Sequence, residues 1–221
     1  MPTVIADELN LEIPEWVTNL PAFRRWTMEP DFPEQGKIWW LRGKVWADRS
    51  KEQLITHNHV RTRITTTLDS LVFDQDLGWF FSDGALLTNS LAGLSGNPDG
   101  MFVSHTVLDQ ALATLVSGKS EGLTEIDGSP DMVLEVVSES SESKDLIILR
   151  EDYFVAGIRE YWVVDARQTP VTFEILRRGP RAFVATKKVG GWLRSAVFDK
   201  SFRLTQSKNR RGQVRFELEM K

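Results

Sequence analysis

Asp99 and Glu135 stand where packing alone least explains a carboxylate. Residues 132–137 (Met-Val-Leu-Glu-Val-Val) are an apolar run broken by one acid, Glu135, between Gly128-Ser129-Pro130 and the polar stretch 138–143. Such a run reads as a strand buried on both faces. A carboxylate on that strand costs several kcal/mol unless it is paired, hydrogen-bonded or bound to a metal. Upstream, Asn97-Pro-Asp-Gly-Met-Phe-Val-Ser104 reads as a second strand, opened by Asp99. Two strands that each bring one carboxylate to a shared point make a divalent-cation site the first hypothesis. Mg²⁺ is satisfied by a few carboxylates with waters and phosphate oxygens. With a lysine just beyond, the set suits metal-assisted phosphodiester hydrolysis, the ammonium orienting a water or stabilising developing charge.

Plainer readings compete with this one. Asp99 could simply begin a strand in a Pro-Asp-Gly turn. Asp131 sits in an identical Pro-Asp dipeptide and is read as a strand-opening residue. His57 could be a core histidine bonded to a backbone carbonyl, Lys144 a solvated loop lysine, and Glu139 and Glu142 surface charges.

Composition narrows the chemistry. The 221 residues are 41% hydrophobic and 26% charged, with no cysteine, so disulfides, thiolate–metal sites and cysteine nucleophiles are excluded. No stretch approaches the roughly 20 apolar residues of a membrane span. Asp7, Glu8 and Glu12 stand where a signal peptide would be apolar, so a cytoplasmic protein is expected. Net charge is −4, unevenly spread: residues 177–221 hold 13 Lys/Arg against 3 Asp/Glu. A basic C-terminal face beside an acidic centre suits a metal site that receives a polyanion. No Gly-rich phosphate loop, two-histidine zinc spacing or Gly-x-Ser-x-Gly elbow is present.

Residues 1–36, with scattered prolines, read as an N-terminal arm. Residues 37–221 read as one domain, with a core over about 37–176 and a basic β-rich part over 177–221. Residues 37–48 read as a hairpin turning at Arg42-Gly43. Ser50-Lys-Glu-Gln53 is a capping-box pattern, and Val60, Ile64, Leu68 and Leu71 give one apolar face to a helix over 51–73. His57 continues that face one turn earlier. Short strands are expected around Asp83-Gly84, a helix over 107–116 and an exposed polar stretch over 118–128. A further helix carries Leu146, Leu149, Tyr153 and Ala156 and ends at Gly157. Glu160-Tyr-Trp-Val-Val-Asp165 reads as a buried strand, followed from Val171 by a β-meander. Trp39, Trp46, Trp79 and Trp162 are expected in the core. The order suits an α/β or α+β fold with a mixed sheet, and a right-handed crossover from the Glu135 strand to that of residues 160–165.

Several of these pieces resemble a known family. Pro98-Asp99, Glu135-Val-Val-Ser138, Lys144-Asp145 and Tyr153-x-x-Ala-Gly-Ile-x-Glu-Tyr-Trp-x-Val-Asp165 are similar to the Uma family of the PD-(D/E)xK nuclease superfamily. The resemblance runs from about residue 37 to the C-terminus. It implies a restriction-endonuclease-like core, a mixed β-sheet flanked by helices, with Mg²⁺ or Mn²⁺ at Asp99 and Glu135 and His57 in support. The simple superfamily motif has a lysine where this chain has Val137, and the Uma-like branch has one where this chain has Leu149. The nearest cations are Lys144 and Arg150. Lys144, at a strand–helix junction, is the candidate to assist the attacking water. Arg150 can hold a phosphate but is a poor proton donor or acceptor.

The expectation is a metal-dependent endonuclease acting on DNA, a homodimer by analogy with enzymes that cut two strands. Arg177, Arg178, Arg181, Lys187 and Lys188 would contact phosphates. Two other classes stay open: a catalytically silent nucleic-acid-binding module, and a protein-interaction domain whose acid pair is a buried structural network.

Overall fold

The computed structural model describes residues 11–33, 36–48, 50–119 and 122–221. The first half runs α1 (Leu20–Trp26), β1 (Lys37–Leu41), β2 (Lys44–Asp48), α2 (Val60–Asp74), β3 (Gly78–Ser82), β4 (Leu86–Asn89), β5 (Leu94–Gly96), β6 (Gly100–Ser104) and α3 (His105–Asp109). The second runs β7 (Ala113–Ser117), β8 (Leu123–Gly128), β9 (Met132–Val136), α4 (Leu149–Val155), β10 (Glu160–Asp165), β11 (Thr172–Arg178), β12 (Phe183–Ala185), β13 (Leu193–Ser195), β14 (Lys200–Lys208) and β15 (Val214–Met220). Wide π-helical turns, Leu54–His59 and Lys144–Ile148, lead into α2 and α4.

The fold is mixed α+β. One six-stranded sheet has the order β2-β1-β5-β4-β8-β7, a second has β12-β11-β10-β9-β6-β3, and β13-β14-β15 form an antiparallel three-stranded sheet. In the second sheet β9 is central, parallel to β10 and antiparallel to β6. Alternate residues of a strand face opposite sides, and both sides of β9 are covered. Val133 and Val137 pack with Trp39, Leu41, Leu149 and Tyr153, against the first sheet and α4. Leu134 and Val136 pack with Ile64 and Leu68 of α2 and with Phe202 and Phe216 of the small sheet. A third cluster seats Phe23 and Trp26 of α1 on Ile38, Trp40 and Val45.

Some elements differ from expectation for identifiable reasons. The strands around Asp83-Gly84 do not pair with each other: β3 joins β6, while β4 joins β5 and β8. The expected helix over 107–116 is only α3, because Ala111 turns the chain at φ 51° and residues 113–117 then pair with β8. The stretch expected to be exposed contains β8, where Ile126 is core and buried Glu125 accepts from Arg24 Nη2 at 2.9 Å. Within the C-terminal meander β14 is an additional strand, whose apolar alternation is masked in the sequence by Lys200, Arg203 and Lys208. Trp39 and Trp162 are buried, but Trp79 is 55% exposed on the edge strand β3. Helix α2 follows its π-helical turn with no side-chain cap at Gln53, and Ser50 is bonded to Asp48 and Ser140 instead.

Candidate active site

The site is built where β6 starts and β9 ends. Glu135 shares the face of Val133 and Val137, so it points toward α4 and the first sheet. The Gly100↔Leu134 register sets Asp99 alongside, and Val136 N donates to Asp99 Oδ2 at 2.7 Å. Both acids are 1% exposed. Tyr153 of α4 donates its hydroxyl to Glu135 Oε1 at 2.7 Å.

Cations close in from two directions. Lys37, the first residue of β1, donates its ammonium to Asp99 Oδ1. Arg61 Nη1 of α2 reaches the same oxygen at 3.2 Å while bonding Asp83 at 2.9 Å and Glu52 at 3.0 Å. Lys144 is buried; its ammonium bonds Asp145 Oδ1 and lies 4.6 Å from the Trp39 ring centroid. His57, buried on the first π-helical turn, has Nε2 3.6 Å from Asp99 Oδ2; its Nδ1 lies 3.7 Å from Glu52 Oε2 and has no hydrogen-bond partner among the described residues. Lys37, His57, Asp99, Glu135, Lys144 and Asp145 all line one cleft of about 560 Å³.

The two acids are held in opposite protonation states. Asp99 is held well below the usual carboxylate range: burial opposes its charge, but Lys37 and His57 outweigh burial. Burial pushes Glu135 up to about 8, against the pull of Lys144, with Asp145 and Asp99 adding to the rise. Lys144 is raised, since Asp145 and Glu135 outweigh the burial that works against its charge.

The structure brings together Asp99, Glu135, Lys144 and His57. It takes Arg150 elsewhere, toward the Phe183 carbonyl at 3.4 Å. Arg177, Arg178, Arg181, Lys187 and Lys188 are exposed and do not line the cleft. Arg177 pairs in register with Glu160, at the far end of the sheet, and Arg178 is drawn onto the Phe154 carbonyl and ring. Sequence reasoning passed over Lys37 and Arg61. No linear spacing ties them to Asp99, which lies 62 residues from Lys37 and 38 from Arg61. The only signal was a lysine opening an aromatic strand.

Among the described residues no group of three or more His, Asp or Glu is arranged to hold a metal. Two carboxylates with waters nevertheless fit the habit of Mg²⁺. Burial holds Glu135 protonated to about pH 8 against the pull of Lys144 and Lys37, so a metal bound there would displace that proton. The donor set therefore fits a divalent ion, provided that Lys37 releases Asp99.

A family model described as "Putative restriction endonuclease", Uma2, matches residues 20–207. The chain belongs to the Uma2 family. Every residue of the cleft lining lies inside the matched stretch. Among solved structures, one described as a putative nuclease belonging to DUF820 from Anabaena variabilis ATCC 29413 is similar to this Uma2 chain. It has 15% sequence identity and a TM-score of 0.54, over 82% of this chain and 90% of that one. At that identity the likeness supports the fold. No curated protein matches the chain. No helix among the described residues is long and apolar enough to cross a membrane.

Proposed function

We propose that this chain is a Mg²⁺- or Mn²⁺-dependent endonuclease that hydrolyses phosphodiester bonds of DNA. The observation that carries the reading is the meeting of Asp99 and Glu135, from adjacent strands, with two ammonium groups in one cleft of a Uma2-family chain. A divalent ion held by Asp99 and Glu135 would polarise the phosphate and acidify a water. Tyr153 fixes one oxygen of Glu135 and leaves the other toward the cleft. Lys144, locked by Asp145 and Trp39, orients the attacking water and stabilises the charge that develops on phosphate. Lys37, freed from Asp99, offers a second cation to the phosphate oxygens. His57 holds Asp99 from the helix side. The water oxygen bonds to phosphorus and gives up a proton to solvent while the bond to the departing oxygen breaks, and that alkoxide takes a proton from solvent to leave as an alcohol. Cutting both strands needs two such sites, so a homodimer is the proposed assembly. The exposed cations from Arg177 to Lys188 would meet phosphates further along a bound strand.

One observation favours a second reading. Lys37 and Arg61 already occupy Asp99, and Leu149 stands where the resemblance calls for lysine, as in a nucleic-acid-binding module that no longer cuts. Nicking of supercoiled plasmid, and cleavage of single-stranded DNA, with Mg²⁺ or Mn²⁺ separates the two. The endonuclease reading expects metal-dependent cleavage that Glu135→Ala abolishes and Lys144→Ala or Lys37→Ala reduces. An intact wild-type protein that is thermally stabilised by the metal yet leaves DNA uncut would favour the silent module.

A further inference from the structure

The turn joining β14 to β15 reads Lys208-Asn-Arg-Arg-Gly-Gln-Val-Arg215, with no acid among its eight residues. Lys208, Arg210, Arg211 and Arg215 are exposed, and among the described residues none of them forms an ion pair. Arg203, lower on the same hairpin, is by contrast spent on Glu219 at 2.5 Å. A solvated lysine or arginine is ordinary; a run of them without counter-charge on a rigid support is a polyanion contact waiting for its partner.

The support is rigid. Asn209 Oδ1 accepts from Arg211 N at 2.8 Å and Gln213 N at 3.0 Å, while Asn209 N donates to Gln213 O at 2.8 Å. One face of the hairpin, with Phe202, Leu204, Val214, Phe216 and Leu218, is packed into the core under α2. That anchorage reaches Val214, next to the cationic tip. Location gives the tip its use. The Phe216 ring lies 6.5 Å from that of His59, at the end of the π-helical turn whose His57 forms part of the cleft wall. That wall carries seven carboxylic residues against three lysines, so a phosphate backbone approaching it needs cations from outside the cleft. The tip also lies beyond residue 207, where the match to the family ends.

We propose that the β14–β15 hairpin tip is an anchoring arm for double-stranded DNA, holding backbone phosphates while the neighbouring cleft engages the scissile bond. This rests on the nuclease reading of the cleft. A two-stranded ribbon fits the major groove of B-form DNA, with arginines at its tip able to reach the flanking phosphates.

The test is fluorescence anisotropy of the full chain on a DNA duplex in EDTA, over a salt series, with anionic phosphatidylserine vesicles in a parallel assay. Arg210→Ala/Arg211→Ala is expected to weaken duplex binding roughly tenfold at moderate salt and to lower the log–log salt slope by about 2. Arg210→Lys/Arg211→Lys is expected to keep the slope. The exposed turn positions leave the fold intact, which circular dichroism checks. An unchanged affinity and slope in the alanine variant, beside a wild type that binds, would overturn the arm and leave the cleft reading standing. A wild type that binds no duplex would sink both. Loss of vesicle binding with duplex binding unaltered would reassign the tip to a lipid surface.

Discussion

The two ends of the β9–β10 pair both bury acids and treat them in opposite ways. At one end Glu160, 1% exposed, accepts from Trp162 Nε1 at 3.0 Å, Ser195 Oγ at 2.6 Å, Ala196 N at 2.6 Å and Val197 N at 3.2 Å. Beside it Asp131 accepts from Ser104 N at 2.8 Å and from Arg159 at 2.7 Å. At the other end Glu135 has one donor, Tyr153, and faces a cleft with lysines around it. Burial of an acid on a strand is therefore no sign of a site. The sign is a buried acid whose own fold leaves it under-supplied with donors, next to space that a ligand can enter.

The contrast can be broken by substitution. Glu160→Ala orphans several buried donors and is expected to cost about 3 kcal/mol or more in urea unfolding. Glu135→Gln in metal-free protein at neutral pH is expected to cost less than about 1 kcal/mol, because the amide resembles the protonated acid already present. Equal costs at the two positions would erase the distinction.

The pH dependence sharpens it. Glu135 is raised from 4.5 to about 8, so between those values the native state binds more protons than the unfolded chain. Asp145, also raised, acts in the same sense. The stability of metal-free protein should thus be highest below about pH 4.5 as far as this acid is concerned, and fall as pH rises toward 8. Glu135→Gln should flatten that decline in thermal melts; an identical decline in the variant would mean that Glu135 is not its source.

Lys37→Met removes the cation that competes for Asp99, so apparent affinity for Mn²⁺ should rise severalfold while DNA cleavage falls. A thermal-shift titration reads the first and plasmid nicking the second; a weaker Mn²⁺ response would show that Lys37 is not a competitor. A modest change is expected for Tyr153→Phe, which deletes one hydrogen bond to Glu135 and should cost about 1 kcal/mol. A loss as large as that of Glu160→Ala would mean that Glu135 is as structurally bound as Glu160.

Much of the central sheet was legible because its strands are continuous apolar runs: the run 132–137 contains the strand 132–136, 160–165 forms a strand throughout, and Gly157 ends its helix at φ 85°. The Arg42-Gly43 turn was legible too, and both residues have positive φ there. Elements whose pattern depends on partners far along the chain were not. The only buried acid of β8, Glu125, is explained by Arg24, 101 residues away. In the cleft, Asp99 and Glu135 could be named from their own strands, whereas Lys37 and Arg61 reach Asp99 only through folding. In the sequence Lys144 is marked only by its position at a strand–helix junction; its contacts with Asp145 and Trp39 come from the fold.

The most direct test of the account is calorimetric titration of Mn²⁺ into the metal-free protein, the Asp99→Asn variant and the Glu135→Gln variant. The account predicts saturable binding to the wild type, with proton release that grows as pH falls below 8, and loss of binding in both variants. Binding that survives both substitutions, or a wild type that binds no Mn²⁺, would contradict the claim that these two carboxylates form a metal-dependent active site.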